Sequence, residues 1–163
     1  MRLLPALVLV SLLFASSAQA TAPGAAAPPF ALPTAGGKTV SLPPLRGRVV
    51  YVDFWASWCA PCRRSFPWMN ELQSRYGKDG LAIVGINVDK RREDAERFLR
   101  DTPASFTIAF DAQGTTPAAY DVKGMPSSYL IDRNGHVVAV EEGFHDERRD
   151  EIEARIRALL AQH

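Results

Sequence analysis

The sequence predicts an α/β fold with a mixed β-sheet, and three observations support this prediction. Two nearly continuous apolar runs, residues 48–55 and 81–88, suit strands buried on both faces. Between them, apolar side chains recur at helical spacing, so that the segment forms a βαβ unit with a right-handed parallel crossover. Near the C-terminus, Asn134-Gly135 separates two more apolar runs and predicts a hairpin of antiparallel strands.

The remaining elements follow from local patterns. Val40 and Leu42 flank Ser41 and follow Gly36-Gly37, which predicts a short hairpin. A charged helix is predicted over about residues 91–101, because Ala95, Phe98 and Leu99 form one apolar face at helical spacing. A closing amphipathic helix is indicated by apolar residues at i, i+4, i+7 and i+8, namely Ile152, Ile156, Leu159 and Leu160.

Composition limits the classes of function. The chain has 163 residues, 47% hydrophobic and 23% charged, which is enough for one domain with its own core. Its 19 Lys and Arg residues nearly balance 18 Asp and Glu residues, for a net charge of +1. Binding to nucleic acid through counterion release is therefore not expected. Two cysteines are too few for a disulfide-rich scaffold, so we expect their role to be chemical.

The N-terminus has the pattern of an export signal. Arg2 precedes the apolar run 3–15, and small residues follow up to Ala20, so residues 1–20 predict a cleavable signal peptide. An uncleaved membrane anchor is the lesser alternative, because about 13 apolar residues fall short of the ~20 that cross a bilayer. Residues 21–29 are Ala, Pro and Gly with one Thr and predict a flexible leader. The folded domain then covers 30–163, and we expect it in the periplasm.

The two cysteines stand in a Cys-x-x-Cys motif, Cys59 to Cys62, where a buried strand passes into a helix. Such a pair can close a small reversible disulfide. Cys59 is expected at the helix N-cap, where unpaired N–H groups and the positive end of the helix dipole stabilise a thiolate. Cys59 is therefore the predicted attacking thiol. Cys62 lies one turn further, on the core-facing spacing, and is the predicted resolving thiol.

Other uses of a cysteine pair fit the sequence less well. A structural zinc site needs about four ligands, and the histidines at 136, 145 and 163 are scattered. A c-type haem needs His after the second cysteine, where this chain has Arg63. A purely structural bridge across so short a loop stabilises little. A copper-binding metallochaperone that uses both thiolates stays open as a non-enzymatic alternative.

Residues 52–62, VDFWASWCAPC, resemble the active-site strand and turn of the thioredoxin superfamily. The export signal, the run 81–89, an insertion at about 91–120 and the segment 124–132 are similar to the exported TlpA/ResA/DsbE-like branch. This resemblance covers nearly all of the chain after the signal peptide. It implies a thioredoxin fold: a central mixed sheet flanked by helices, with an inserted helix and strand segment.

The resemblance also implies roles for single residues. Pro126 matches the cis-proline that faces the disulfide, and the backbone of Met125 before it pairs with an extended substrate. Asp53 matches the buried acid that manages the proton of the resolving thiol. An aspartate inside an apolar strand is costly unless it is paired or functional, so the residue itself points the same way. Trp58, beside Cys59, offers an apolar platform to substrates.

Two positions depart from the patterns of the family. Gly85 stands where many thioredoxins carry a lysine near the acid, so Asp53 is expected to titrate unusually high. Ser65 stands where members specialised for cytochrome c maturation carry a glutamate, which argues against that specialisation.

These observations predict an exported thiol-disulfide oxidoreductase, most simply a reductase of protein disulfides. A disulfide-introducing oxidase or isomerase uses the same chemistry and stays open. No organic cofactor and no metal is implied. The expected partners are exported proteins that carry disulfides or dithiols, together with a membrane-bound dithiol electron donor, and the protein is expected to act as a monomer without nucleic acid.

Overall fold

A computed structural model describes residues 21–162 of the chain. The predicted signal peptide at 1–20 lies outside the described residues. Residues 21–162 contain seven strands: β1 (Ala31–Pro33), β2 (Thr39–Ser41), β3 (Val49–Trp55), β4 (Leu81–Asn87), β5 (Thr107–Phe110), β6 (Ser127–Ile131) and β7 (Val137–Glu142). Four α-helices accompany them: α1 (Ala60–Tyr76), α2 (Arg92–Asp101), α3 (Thr115–Ala119) and α4 (Arg149–Leu160). Across 21–162, none of the helices combines the length and apolarity needed to cross a membrane.

The central sheet has five strands in the order β5-β4-β3-β6-β7. Strands β3, β4 and β5 are parallel, whereas β6 runs antiparallel to both β3 and β7. The predicted βαβ unit is therefore β3-α1-β4, and the Asn-Gly hairpin joins β6 to β7. The mixed sheet predicted from the sequence is confirmed. The predicted insertion contributes α2, β5 and α3 between β4 and β6.

Strand β3 is buried along its whole length and divides the core into two layers. Val49, Tyr51 and Trp55 belong to the cluster that holds the apolar residues of α1 and α4 and Phe98 of α2. Val50, Val52 and Phe54 belong to the opposite cluster, with residues of the β1-β2 hairpin and Tyr120 after α3. Because strand side chains alternate between faces, Asp53 shares the face of β3 that packs against α1.

The structure corrects the prediction made for the leader, residues 21–29. Residues 21–29 were expected to be flexible, but Gly24 N donates to Val137 O at 2.7 Å and Val137 N donates to Ala25 O at 2.9 Å. Ala27 N also donates to Gly135 O at 2.9 Å, and the Ala27 side chain is buried. The prediction was wrong because it considered side chains alone, whereas any non-proline backbone can pair with an open strand.

Each edge of the central sheet has a short additional pairing. The leader pairs with the start of β7, where Ala26 and His136 form a bridge. At the other edge, the antiparallel β1-β2 hairpin contacts β5 through a bridge between Thr34 and Ala109. These pairings shorten the open edge that could template pairing with another chain.

Candidate active site

Cys59 and Cys62 form a disulfide at the junction of β3 and α1, with an S–S distance of 2.05 Å. Cys59 is the N-cap of α1, and its Sγ accepts a hydrogen bond from Cys62 N at 3.2 Å. No acidic residue lies in the first turn of this 17-residue helix. The position at a helix N-terminus agrees with the sequence prediction, and it favours a thiolate at Cys59 once the disulfide is reduced.

The turn before Cys59 is fixed by Asp89, a buried residue just beyond the end of β4. Its Oδ2 accepts from Ser57 N at 2.9 Å and its Oδ1 from Ser57 Oγ at 3.0 Å. Asn87 Nδ2 donates to the same carboxylate at 2.7 Å. These bonds tie the turn after β3 to the end of β4, two residues before Cys59. This contact was not predicted from the sequence, although the two polar residues Asn87 and Asp89 at the end of an apolar strand are a visible signal.

Asp53 lies two residues before the end of β3 and is 1% exposed. Its Oδ1 accepts a hydrogen bond from Ser128 Oγ at 2.6 Å, whereas its Oδ2 has no hydrogen-bond partner among the described residues. Burial raises the pKa of Asp53 to about 7, and the bond from Ser128 opposes this shift only in part. A carboxyl group with such a pKa can both accept and release a proton near neutral pH.

The neighbourhood of Asp53 explains why no cation within the described part of the chain lowers its pKa. The strand register places Gly85 of β4 on one side of Asp53 and Ser128 of β6 on the other. A Cβ atom at Gly85 would lie 3.0 Å from Cε2 of Phe106 and 3.2 Å from Cδ1 of Ile108. Because these side chains fill the space, a long basic side chain cannot extend from this position without displacing them.

Ser65 is buried one turn after Cys59-Cys62, and its Oγ donates to Cys62 O at 3.1 Å. The position therefore presents a neutral hydroxyl that is already bonded to the helix backbone. Ser65 therefore does not supply a second acid next to the cysteines.

The predicted substrate-contact residues lie at the same end of the sheet. The Met125–Pro126 peptide bond is cis, and Pro126 is buried directly before β6. The next residue of β6 pairs with Phe54 near the end of β3. Met125 packs against the cluster that contains both cysteines. Trp58 is 71% exposed and is the one large apolar side chain within 21–162 that is exposed.

Comparisons with known proteins decide the family. The sequence profile of the Redoxin family matches residues 22–156. The chain belongs to the Redoxin family. It is 37% identical over 130 residues to the thiol-disulfide oxidoreductase ResA of Geobacillus thermodenitrificans. These residues are 80% of this chain and 75% of the relative. The ResA of Bacillus subtilis is 33% identical over 120 residues, 74% of this chain and 67% of the relative.

Solved structures give the same assignment. A putative thiol:disulfide interchange protein DsbE from Chlorobium tepidum superposes with a TM-score of 0.84 at 50% identity, over 86% of this chain and 99% of that one. A putative protein disulfide isomerase from Bacteroides thetaiotaomicron has a TM-score of 0.81 at 27% identity, over 87% and 92%. This Redoxin-family chain is thus a TlpA/ResA/DsbE-like member of the thioredoxin superfamily. It is a thiol-disulfide oxidoreductase that exchanges dithiols and disulfides of protein substrates.

The raised pKa of Asp53 predicts how stability depends on pH. In the unfolded chain this carboxyl titrates near 3.8, whereas in the folded protein it titrates at about 7. Between these values the folded state holds the extra proton, so the contribution of Asp53 to stability falls as pH rises and is lowest above pH 7. Asp53→Asn keeps an acceptor for Ser128 without the charge. We expect the stability advantage of this variant over the parent to increase from pH 4 to pH 8, by on the order of 4 kcal/mol.

Urea unfolding of the oxidised parent and of Asp53→Asn at pH 4, 6 and 8 checks this prediction. The difference between the two free energies of unfolding should grow with pH and level off above about pH 7. A difference that is constant over this range would show that the buried carboxyl titrates normally.

Proposed function

We propose that this protein is a periplasmic reductase of protein disulfides. The observation that carries the proposal is a Cys59–Cys62 pair at the N-terminus of α1 together with a buried acid, Asp53, on the face of β3 that packs against this helix. Strong oxidants of this fold owe their potential to a stabilised reduced form. Here the residues between the cysteines are the neutral Ala60 and Pro61, and an ionised Asp53 would disfavour a thiolate nearby. Both features stabilise the disulfide relative to the dithiol. The redox potential is therefore low, and the dithiol form donates electrons readily.

The charged side chains next to the motif do not change this balance. The Arg63 guanidinium lies over the Phe98 ring, 4.5 Å from its centroid, and donates to Thr102 Oγ1 at 3.4 Å. Arg64 pairs with Asp146 at 3.4 Å. Both arginines thus reach away to neighbouring elements, and the helix N-terminus supplies the main stabilisation of a Cys59 thiolate.

The reaction follows from these positions. The Cys59 thiolate attacks one sulfur of a client disulfide, forming a mixed disulfide and releasing the other client sulfur as a thiolate. Cys62 then gives its proton to Asp53 and attacks Sγ of Cys59. The Cys59–Cys62 bond closes, the bond to the client breaks, and the client leaves as a dithiol once its thiolates take protons from water. Two electrons pass from the cysteine pair to the client.

The proposed binding surface for the client consists of Trp58 and the segment at Met125 and Pro126. The exposed indole of Trp58 supplies apolar contact area beside the attacking sulfur. The backbone of Met125 pairs with an extended client segment, which gives affinity without requiring a particular side chain.

The setting of the reaction is proposed from the sequence. The signal pattern at 1–20 supports export, and the oxidised protein then needs a dithiol donor at the membrane to be reduced again. The clients are exported proteins, and the protein acts as a monomer. Because Ser65 stands where members specialised for cytochrome c maturation carry a glutamate, we expect the clients to be other proteins than those of cytochrome c maturation.

Replacement of the attacking thiol tests the chemistry. Cys59→Ala should abolish dithiothreitol-dependent reduction of insulin, because no thiolate remains at the helix N-terminus. Cys62→Ser is the matched variant: it should still attack but accumulate a mixed disulfide, detectable by mass spectrometry of the acid-quenched reaction. Insulin reduction by Cys59→Ala at the parent rate would refute the proposed mechanism.

The direction of electron flow is tested by the redox potential of the residue 21–163 protein in graded glutathione and dithiothreitol buffers. Trp55, buried in the same cluster as the cysteines, supplies the fluorescence signal. The proposal predicts a potential near that of thioredoxin, about −270 mV. A value near about −120 mV would instead favour the alternative, an oxidase that introduces disulfides.

A further inference from the structure

The turn between β3 and Cys59 is held by one buried side chain that follows the neighbouring strand β4. Ser57 donates two hydrogen bonds to Asp89, from its N to Oδ2 at 2.9 Å and from its Oγ to Oδ1 at 3.0 Å. These two bonds form the Ser57/Asp89 clamp. Neither residue has a role in the exchange reaction described above.

The acceptor side of the clamp is fixed by the sheet. Asp89 is 7% exposed, its Oδ2 accepts from Asn87 Nδ2 at 2.7 Å, and its N donates to Asn87 Oδ1 at 3.1 Å. Asn87 is the last residue of β4 and is itself buried. The carboxylate therefore keeps its place through contacts that do not involve the cysteines.

The donor side of the clamp leads directly to the cysteines. Cys59 N donates to Ala56 O at 3.1 Å, which closes the turn 56–59 around Ser57. Cys59 then caps α1 with φ −87° and ψ 103°, and the disulfide joins it to Cys62. Ser57 thus lies inside the turn that directs the Cys59 side chain. Because neither bond of the clamp involves a sulfur atom, reduction of the cysteine pair leaves both partners of the clamp intact.

The clamp and the disulfide order the same short turn. Ordering a backbone segment costs conformational entropy. When the clamp already holds the turn, less of that cost remains for closing the disulfide, and the disulfide lowers the cost of forming the clamp in the same way. Two contacts that order one segment therefore stabilise each other, and this coupling is reciprocal.

We propose that Ser57 and Asp89 are positioning residues for closure of the disulfide, because they hold Cys59 where the sulfur of Cys62 reaches it. Closure passes two electrons and two protons from the cysteine pair to an oxidant such as glutathione disulfide, which becomes two glutathione molecules. The clamp raises the effective concentration of one thiol at the other and so lowers the redox potential. The proposal rests on the exchange mechanism proposed above for Cys59 and Cys62, not on its direction in the cell.

Ser57→Ala is the decisive variant, because it removes the Oγ bond and leaves the Asp89 charge in place. The readout is the redox equilibrium in glutathione buffers, followed by the fluorescence of Trp55. We expect the equilibrium constant for disulfide formation to fall about fivefold, which raises the potential by about 20 mV. Asp89→Asn should raise the potential as well. The two shifts should be less than additive in the double variant, because both substitutions break the same contact.

Ser105→Ala is the matched control. Ser105 N and Ser105 Oγ both donate to Oδ1 of Asn70, at 2.7 and 3.0 Å, so the same pair of donors meets a side-chain oxygen away from the cysteines. Asn70 lies in α1, about two turns beyond Cys62. The control loses a similar hydroxyl bond and should keep the parent potential.

Two further measurements separate positioning from other effects. Iodoacetamide alkylation of reduced Ser57→Ala should give the parent pKa for Cys59, since the variant keeps the helix N-terminus and the Cys62 N–H that faces this sulfur. Urea unfolding should show that Ser57→Ala destabilises the oxidised protein more than the reduced protein, by the same fivefold factor in the equilibrium constant. The reciprocity of the coupling requires this agreement.

A parent-like potential for Ser57→Ala would overturn the proposal, since the clamp would then support the fold without favouring closure. An equal shift in Ser105→Ala would overturn it too, and so would a change in the Cys59 pKa that accounts for the whole change in potential. These results are differences from the parent, so they leave the proposed function intact. Failure of the parent itself to reduce insulin would instead contradict the proposed function.

Discussion

The buried carboxyl of Asp53 is the constraint on which the rest of the site depends. It lies in the central strand of the sheet, holds one hydrogen bond from Ser128, and has no basic side chain beside it at Gly85. Leaving an acid in this environment costs stability whenever the acid is ionised. The cost is understandable for a group with the proposed role of taking a proton from a buried thiol and releasing it again near neutral pH. A cation at Gly85 would stabilise the charged form and weaken Asp53 as a base.

Strand geometry places this acid and the cysteines near the same end of the sheet. The carboxyl ends of the parallel strands β3 and β4 meet at one edge, and the Asp89 carboxylate joins them through Ser57 and Asn87. From that edge the chain enters α1, whose N-terminus receives Cys59. The antiparallel strand β6 then brings Pro126 to the same end and Ser128 to Asp53. The predicted site residues come from distant parts of the chain, and each lies in or next to a regular element.

The sequence predicted the parts of this arrangement that depend on local pattern. Apolar runs gave β3 and β4, Asn134-Gly135 gave the β6-β7 hairpin, and the strand-to-helix junction placed Cys59 at an N-cap. The positions of Pro126 and Asp53 were reached through the family resemblance. Strand β5 and helix α3 have four and five residues, too few for a period to show, and only their presence within an insertion could be predicted.

Contacts across long sequence separations could not be predicted. The bond between Ser128 and Asp53 spans 75 residues and depends on the register of β6. The leader was predicted to be flexible, but its backbone pairs with the start of β7, which no side-chain pattern signals. Phe106 near Gly85 is equally non-local, since its place depends on how the insertion folds back over β4.

The most direct test of the account is alkylation of the reduced protein by iodoacetamide over a range of pH, with the modified cysteine identified by mass spectrometry. We expect Cys59 to react first, and to react already at pH values well below about 8.5, where an ordinary thiol is mostly protonated. Cys62, fully buried in the first turn of α1, should be protected. Modification of Cys62 before Cys59, or reaction of Cys59 only at and above about pH 8.5, would contradict the account.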